Sequence, residues 1–213
     1  MKTDDLISLL STNVERVDPW QVVRTLGMAV LVGGAAAFVA VLFALGMRTD
    51  MNEPSAVAYL PLKLVFTMGT LVYTSIALTK LARPGGEHRT PIALVALPFA
   101  VIMLIAGLSL ASAPRSHWDR MIIGNNWLEC VLSIPVIAMV PFAVVIWAVR
   151  QMAPTDLVRA GALAGMVAGA VSAVAYAFHC TDDSLPFVAL WYGGTIALCT
   201  LAGATLGPRL LRW

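Results

Sequence analysis

Charge is what this sequence has least of. Among its 213 residues only 12% are Asp, Glu, Lys or Arg, where a soluble domain carries roughly 25%. Cysteine is scarce too: the three present form no CxxC pair and no zinc-finger spacing, so no disulfide scaffold is encoded. The net charge of +2 gives no basis for direct nucleic-acid binding. Signatures of catalysis are missing: no glycine-rich phosphate loop, no GxSxG, no HExxH. Nor is there a mid-span carboxylate pair of the kind that marks proton-coupled transporters. On these absences the chain reads as a non-enzyme with no required cofactor.

What it has is apolar sequence. Hydrophobic residues make up 59%, more than a water-soluble core of this size can bury. The natural solvent is a bilayer, where a span needs about 20 consecutive apolar residues. Six such runs fall at 26–47, 61–81, 90–110, 127–149, 157–180 and 186–207. Each must be a helix, because only a helix satisfies its own backbone polar groups in hydrocarbon. The alternating polarity of a membrane β-barrel is absent. The expected fold is therefore all-α: a polytopic bundle of six transmembrane helices (residues 26–213) behind a polar segment (1–25). The first run follows an acidic polar stretch and reads as a retained span, not a cleavable signal.

Lys and Arg distribution sets the orientation. Lys2, Arg16, Arg24, Lys80, Arg83, Arg89, Arg150, Arg159, Arg209 and Arg212 fall on one side. Arg48, Arg115 and Arg120 fall on the other, with Lys63 just inside span two, where it and Lys80 can snorkel to the interface. The richer side marks the cytoplasm, so both termini are expected inside. Trp20, Trp147 and Trp213 on that side, and Trp118, Trp127 and Trp191 on the other, fit interface anchors.

In the polar segment Thr3 can cap a short helix with Asp4 and Asp5 in its first turn. Leu6, Leu9, Leu10, Val14 and Val17 recur at helical spacing, and Asp18-Pro19 ends the pattern. This helix either lies on the membrane or docks a soluble partner. Surface-lying helices carry Lys and Arg on the polar face; acids here favour a partner.

Span five carries small residues every fourth position: Gly161, Gly165, Gly169, Ala173 and Ala177. That spacing lets helix backbones approach closely in lipid, and it places Cys180 within the arc of the same stripe. Pro135 and Pro141 should kink span four.

The one reactive corner is Phe178-His179-Cys180-Thr181-Asp182-Asp183. By topology Cys180 ends span five at the same depth as Cys130, near the start of span four. Around the pair gather Glu129, His179, Asp182, Asp183 and His117. Thiolate and imidazole suit zinc-like and heavier thiophilic metals; two thiols could instead form a disulfide if their Cα atoms lie within about 7 Å. The plain alternative is two buried small residues that never meet, beside an ordinary solvated turn at Asp182-Asp183. Cys199, deeper in span six, reads as packing.

The opening MKTDDLISLL, the six spans, NWLEC at the start of span four and the closing FHCTDDSLPFVALWYGGTIALCTLAGATLGPRLLRW resemble the NrsF-type anti-sigma factors, over essentially the whole chain. The resemblance implies a bacterial inner-membrane protein whose cytoplasmic N-terminal segment holds an extracytoplasmic-function sigma factor. It implies that Cys130 and Cys180, on the periplasmic side, respond to heavy metal (a transient zinc- or cadmium-like ion) or oxidative stress. It maps sigma docking onto Asp4 and Asp5; the leucine stripe of Leu6, Leu9 and Leu10 would supply the apolar part. Two rival classes are a membrane thiol oxidoreductase using a quinone, which would want a second redox pair, and a small transporter or channel.

Overall fold

The computed structural model describes residues 20–51, 53–83, 92–152 and 154–212. The expected docking helix, with Asp4, Asp5, Leu6, Leu9 and Leu10, lies outside the described residues. Six helices are long and apolar enough to cross a membrane, and no strand occurs among the described residues. They are α1 (Gln21–Ala44), α2 (Pro54–Leu81), α3 (Ile92–Ser112), α5 (Trp127–Arg150), α6 (Leu157–Ala177) and α7 (Leu185–Leu210), with a short α4 (Trp118–Ile123) lying before α5.

Local sequence explains the boundaries. Pro54 takes the first turn of α2, where its missing N–H is not needed, so this helix starts seven residues before the expected 61. Asp156 caps α6 by accepting from the Arg159 backbone N–H at 2.9 Å. Ser184 caps α7, whose backbone widens into a π-helical stretch over Val188–Tyr192 before continuing as α-helix from Gly193. Helix α5 runs unbroken through Pro135 and Pro141.

Side-chain size is sorted inside out. Leu31, Val65, Leu104, Val136 and Met139 are exposed on the perimeter, where acyl chains solvate them as well as a core would. The interior belongs to small residues. Helix α6 is the hub, packed against α1, α2, α5 and α7, and a helix enclosed on all sides fits only if its side chains are short. Its closest neighbour is α7. A methyl added at Gly161 would overlap the Gly203 carbonyl and stand 2.6 Å from Gly207 Cα. One added at Gly165 would overlap the Cys199 carbonyl, and one at Gly169 would reach Cys199 Cβ at 3.0 Å. The glycines of the two helices thus interlock, and Cys199 packs into that seam.

The hydrophobic interior has two main parts. One, including Leu26, Leu81, Val149, Ala160 and Leu211, lies towards the end where α1 begins and α7 finishes. The other gathers Phe66, Cys130, Ile134, Tyr176, Cys180, Phe187 and Tyr192 at the opposite end. There the stretch 45–51 after α1, the segment 113–126 and the loop 178–184 meet.

Candidate functional site

Helix α6 stops at Ala177, three residues short of the expected end, because the carbonyls just beyond it are taken by other elements. The Arg48 backbone N–H donates to Phe178 O at 3.0 Å. The Cys180 carbonyl accepts from Lys63 Nζ and from Arg48 Nη1, each at 3.2 Å. Cationic donors at orphaned carbonyls favour ending a helix. Cys180 is thus in the loop beyond the helix, not on its stripe, and is still fully buried.

Two cations and two anions surround this peptide. Asp183 receives Lys63 Nζ at 2.7 Å on one oxygen and Arg48 Nη2 at 2.7 Å on the other. The other fork of Arg48 grips Asp50 at 2.6 and 2.8 Å. Lys63 is 0% exposed and Arg48 6%. Taking such charges from water costs several kcal/mol each, and only close pairing offsets it; the formal charges here cancel. The hydrogen bond to Asp50 raises Arg48 further above its ordinary range, against the lowering effect of burial. Arg48 in turn holds the Asp50 carboxyl below its ordinary value. Two expectations are corrected. Lys63 does not snorkel; it points inward, over the Tyr192 ring at 5.3 Å, because Asp183 gives it a counter-charge at hand. Asp182-Asp183 is not a solvated turn, since both carboxylates are engaged.

Asp182 serves the start of α5. One of its oxygens accepts from the backbone N–H groups of Asn125 and Asn126 at 3.0 and 2.7 Å. The approach requires Gly124, at φ +62°, where a side chain would also strike the Phe187 ring at 2.7 Å. Ser184 Oγ donates to Met121 O and Trp191 Nε1 to Ile122 O at 2.8 Å. Loop 178–184 is thereby fastened to α4, to the helix of Cys130 and to the loop after α1.

Cys130 and Cys180, distant in sequence, share one buried core with Tyr176, Tyr192, Phe187 and Ile134, and both are free thiols. The Cys180 Sγ has one weak contact, to Asp182 O at 3.9 Å. Burial raises the Cys180 thiol above its ordinary value; nearby Lys63, the Asp182 backbone and the Tyr192 hydroxyl act the other way. The resting group is therefore a thiol, not the thiolate that binds metal or attacks oxidants.

The other expected ligands are dispersed. His179 Nδ1 lies 3.0 Å from Gly46 O; a carbonyl only accepts, so Nδ1 carries the proton. Its Nε2 faces Glu129 Oε2 at 3.9 Å, and Glu129 is 63% exposed. His117 is exposed on the turn Arg115–His117. Among the described residues no three His, Cys, Asp or Glu side chains are gathered as for a metal ion. Sequence reasoning missed Arg48, Asp50, Lys63, Tyr176 and Tyr192. The signal for Lys63 was available: a cation within an apolar run needs a partner, and the acids at its end of the bundle include Asp50 and Asp183.

A family model described as "NrsF: Negative regulator of sigma F" matches residues 10–213. The chain is 30% identical over 213 residues to the "Probable anti-sigma-F factor NrsF" of Azospira oryzae, covering 100% of both proteins. It is 32% identical over 217 residues to the "Anti-sigma-F factor NrsF" of Caulobacter vibrioides, again covering 100% of both. No solved structure matches.

Proposed function

Since this chain belongs to the NrsF family of negative regulators of sigma F, we propose that it is an anti-sigma factor of the bacterial inner membrane. Both termini face the cytoplasm, where residues 1–25 hold an extracytoplasmic-function sigma factor. The leucine stripe makes the apolar contact and Asp4 and Asp5 meet basic side chains of the partner. Cys130 and Cys180 face the periplasm and respond to a thiophilic metal ion or an oxidant.

One observation carries the reading. The Cys180 loop is bonded to the chain just after α1, through Arg48 N to Phe178 O, His179 Nδ1 to Gly46 O and Arg48 Nη1 to Cys180 O. The opposite end of α1 begins at Gln21, where the docking segment ends. A change at Cys180 therefore has a one-helix route to the sigma-binding residues. Both thiols are buried at rest, so the signal acts by binding an opened state better than the closed one.

The test is co-purification from native membranes. A sigma factor should accompany the full-length protein and leave on addition of cadmium or an oxidant. A protein lacking residues 1–20 should bring none. Retention of the sigma factor by that truncation overturns the docking assignment.

A further inference from the structure

The buried ionic cluster is more than a support for the thiol loop. Arg48 reaches three acceptors on two chain segments: Asp50 beside it, and Asp183 and the Cys180 carbonyl opposite. Lys63 repeats the second half of that pattern from α2, donating to Asp183 and to the same Cys180 carbonyl. Two cations from two elements thus converge on one peptide, and that peptide carries one of the two thiols.

We infer that Arg48, Lys63 and Asp183 form a latch that holds the thiol end of the bundle closed, and that releasing it frees α1 and with it the sigma-binding segment.

Three features make the cluster a latch and not mere packing. First, its energy is of an all-or-none kind. The pairs are close and nearly dry, so separating them leaves charges that must either find water or re-form the contact. A shift of an ångström or two is not a shallow, elastic response. Second, it joins the three elements that would have to part: the loop after α1, helix α2, and the α6–α7 loop. Third, the core beneath it is not fully satisfied. The Tyr176 hydroxyl is buried with no hydrogen-bond partner among the described residues. Such a group costs free energy in the closed state and regains it when water enters, so opposing terms are poised at this site. Coupling to the cysteines is geometric. Any reaction that brings the Cys180 sulfur to a shared ion or into a bond with Cys130 moves the Cys180 peptide, whose carbonyl both cations hold.

This assignment rests on the thiol reading of the site and adds what stands between the thiol and α1. Its test separates the two. In native membranes, maleimide labelling of Cys180 is measured in a background where Cys130 and Cys199 are serine. R48K keeps the charge but cannot bridge Asp50, Asp183 and the Cys180 carbonyl together. D183N leaves both cations short of a counter-charge. The latch predicts labelling roughly tenfold faster or more in R48K and D183N, with helical content retained. In a C130S/C180S background, the same two substitutions should release the sigma factor without metal or oxidant.

Unchanged labelling in folded R48K overturns the latch. Faster labelling with the sigma factor still held overturns its link to α1. If D183N loses helical content, R48K alone decides. A failure of thiol sensing shows separately, as a C130S/C180S protein that still answers metal, and leaves the labelling result standing.

Discussion

Lys63 Nζ and Asp183 Oδ1 lie 2.7 Å apart inside a bundle of membrane helices, with the lysine wholly shielded from solvent. One residue is in the third turn of α2; the other is in the loop that leads into α7. Neither would be stable there alone, and together with Arg48 and Asp50 they form a neutral group at the thiol end of the molecule.

This pairing predicts strong non-additivity. K63M or D183L alone leaves an uncompensated buried charge and should cost about 3–5 kcal/mol. The double variant removes both ions and should recover most of that loss, although Arg48 then keeps only Asp50. The readout is thermal unfolding of helical content in detergent or nanodiscs. Additive losses would mean that the two side chains do not act as a pair.

The α6–α7 seam predicts a contrast between glycines. A methyl at Gly161 collides with the backbone of Gly203 and Gly207, whereas one at Gly69 meets nothing within 4 Å. G161A should destabilise by about 1–3 kcal/mol, the usual cost of overpacking. G69A should be neutral or stabilising by up to about 1 kcal/mol, from helix propensity. Equal melting temperatures for the two variants would show that the helices can separate at no cost.

The thiol reading predicts that C130S/C180S no longer responds to cadmium or oxidant while still binding the sigma factor. C199S should respond like the unaltered chain, because Cys199 packs against the Gly165–Gly169 face of α6. A reporter driven by the sigma factor measures both. A normal response from the double serine variant would remove the cysteines from the mechanism.

The Arg48–Asp50 clasp predicts an acid limit. Asp50 has a folded-state pKa below its ordinary value of 3.8. A depressed carboxylate contributes stability that is complete above the unfolded value and is lost as pH falls through the folded one. The unaltered chain should therefore lose melting temperature below about pH 4 more steeply than D50N, and D50N should be the less stable of the two at neutral pH. Parallel curves would mean that Asp50 gains nothing from Arg48.

Much of this architecture is legible in the residues. Six apolar runs of spanning length dictate six helices, because an unpaired backbone amide in hydrocarbon costs too much for any other outcome. The four-residue glycine spacing of 161, 165 and 169 points to a close helix pair, and Gly203 and Gly207 on α7 are what it meets. Topology alone put Cys130 and Cys180 at one end of the bundle, and they lie in one core.

Local pattern could not supply the partners. Lys63 sits in an apolar run and could as well have reached for the interface; what turns it inward is Asp183, brought to it by a different helix. The same acid, with Asp182, looks like a polar turn until the loop after α1 and the start of α5 close on it. Helix α6 ends at Ala177 and not at Cys180 because Arg48 and Lys63 claim the carbonyls that follow. The sequence by itself thus determined the solvent, the number of spans and the seam of small residues, since hydrophobicity and size act residue by residue. The pairing of buried charges around Cys180 was decided only by tertiary structure, since an ion pair needs two groups within about 4 Å, and the fold alone sets that distance.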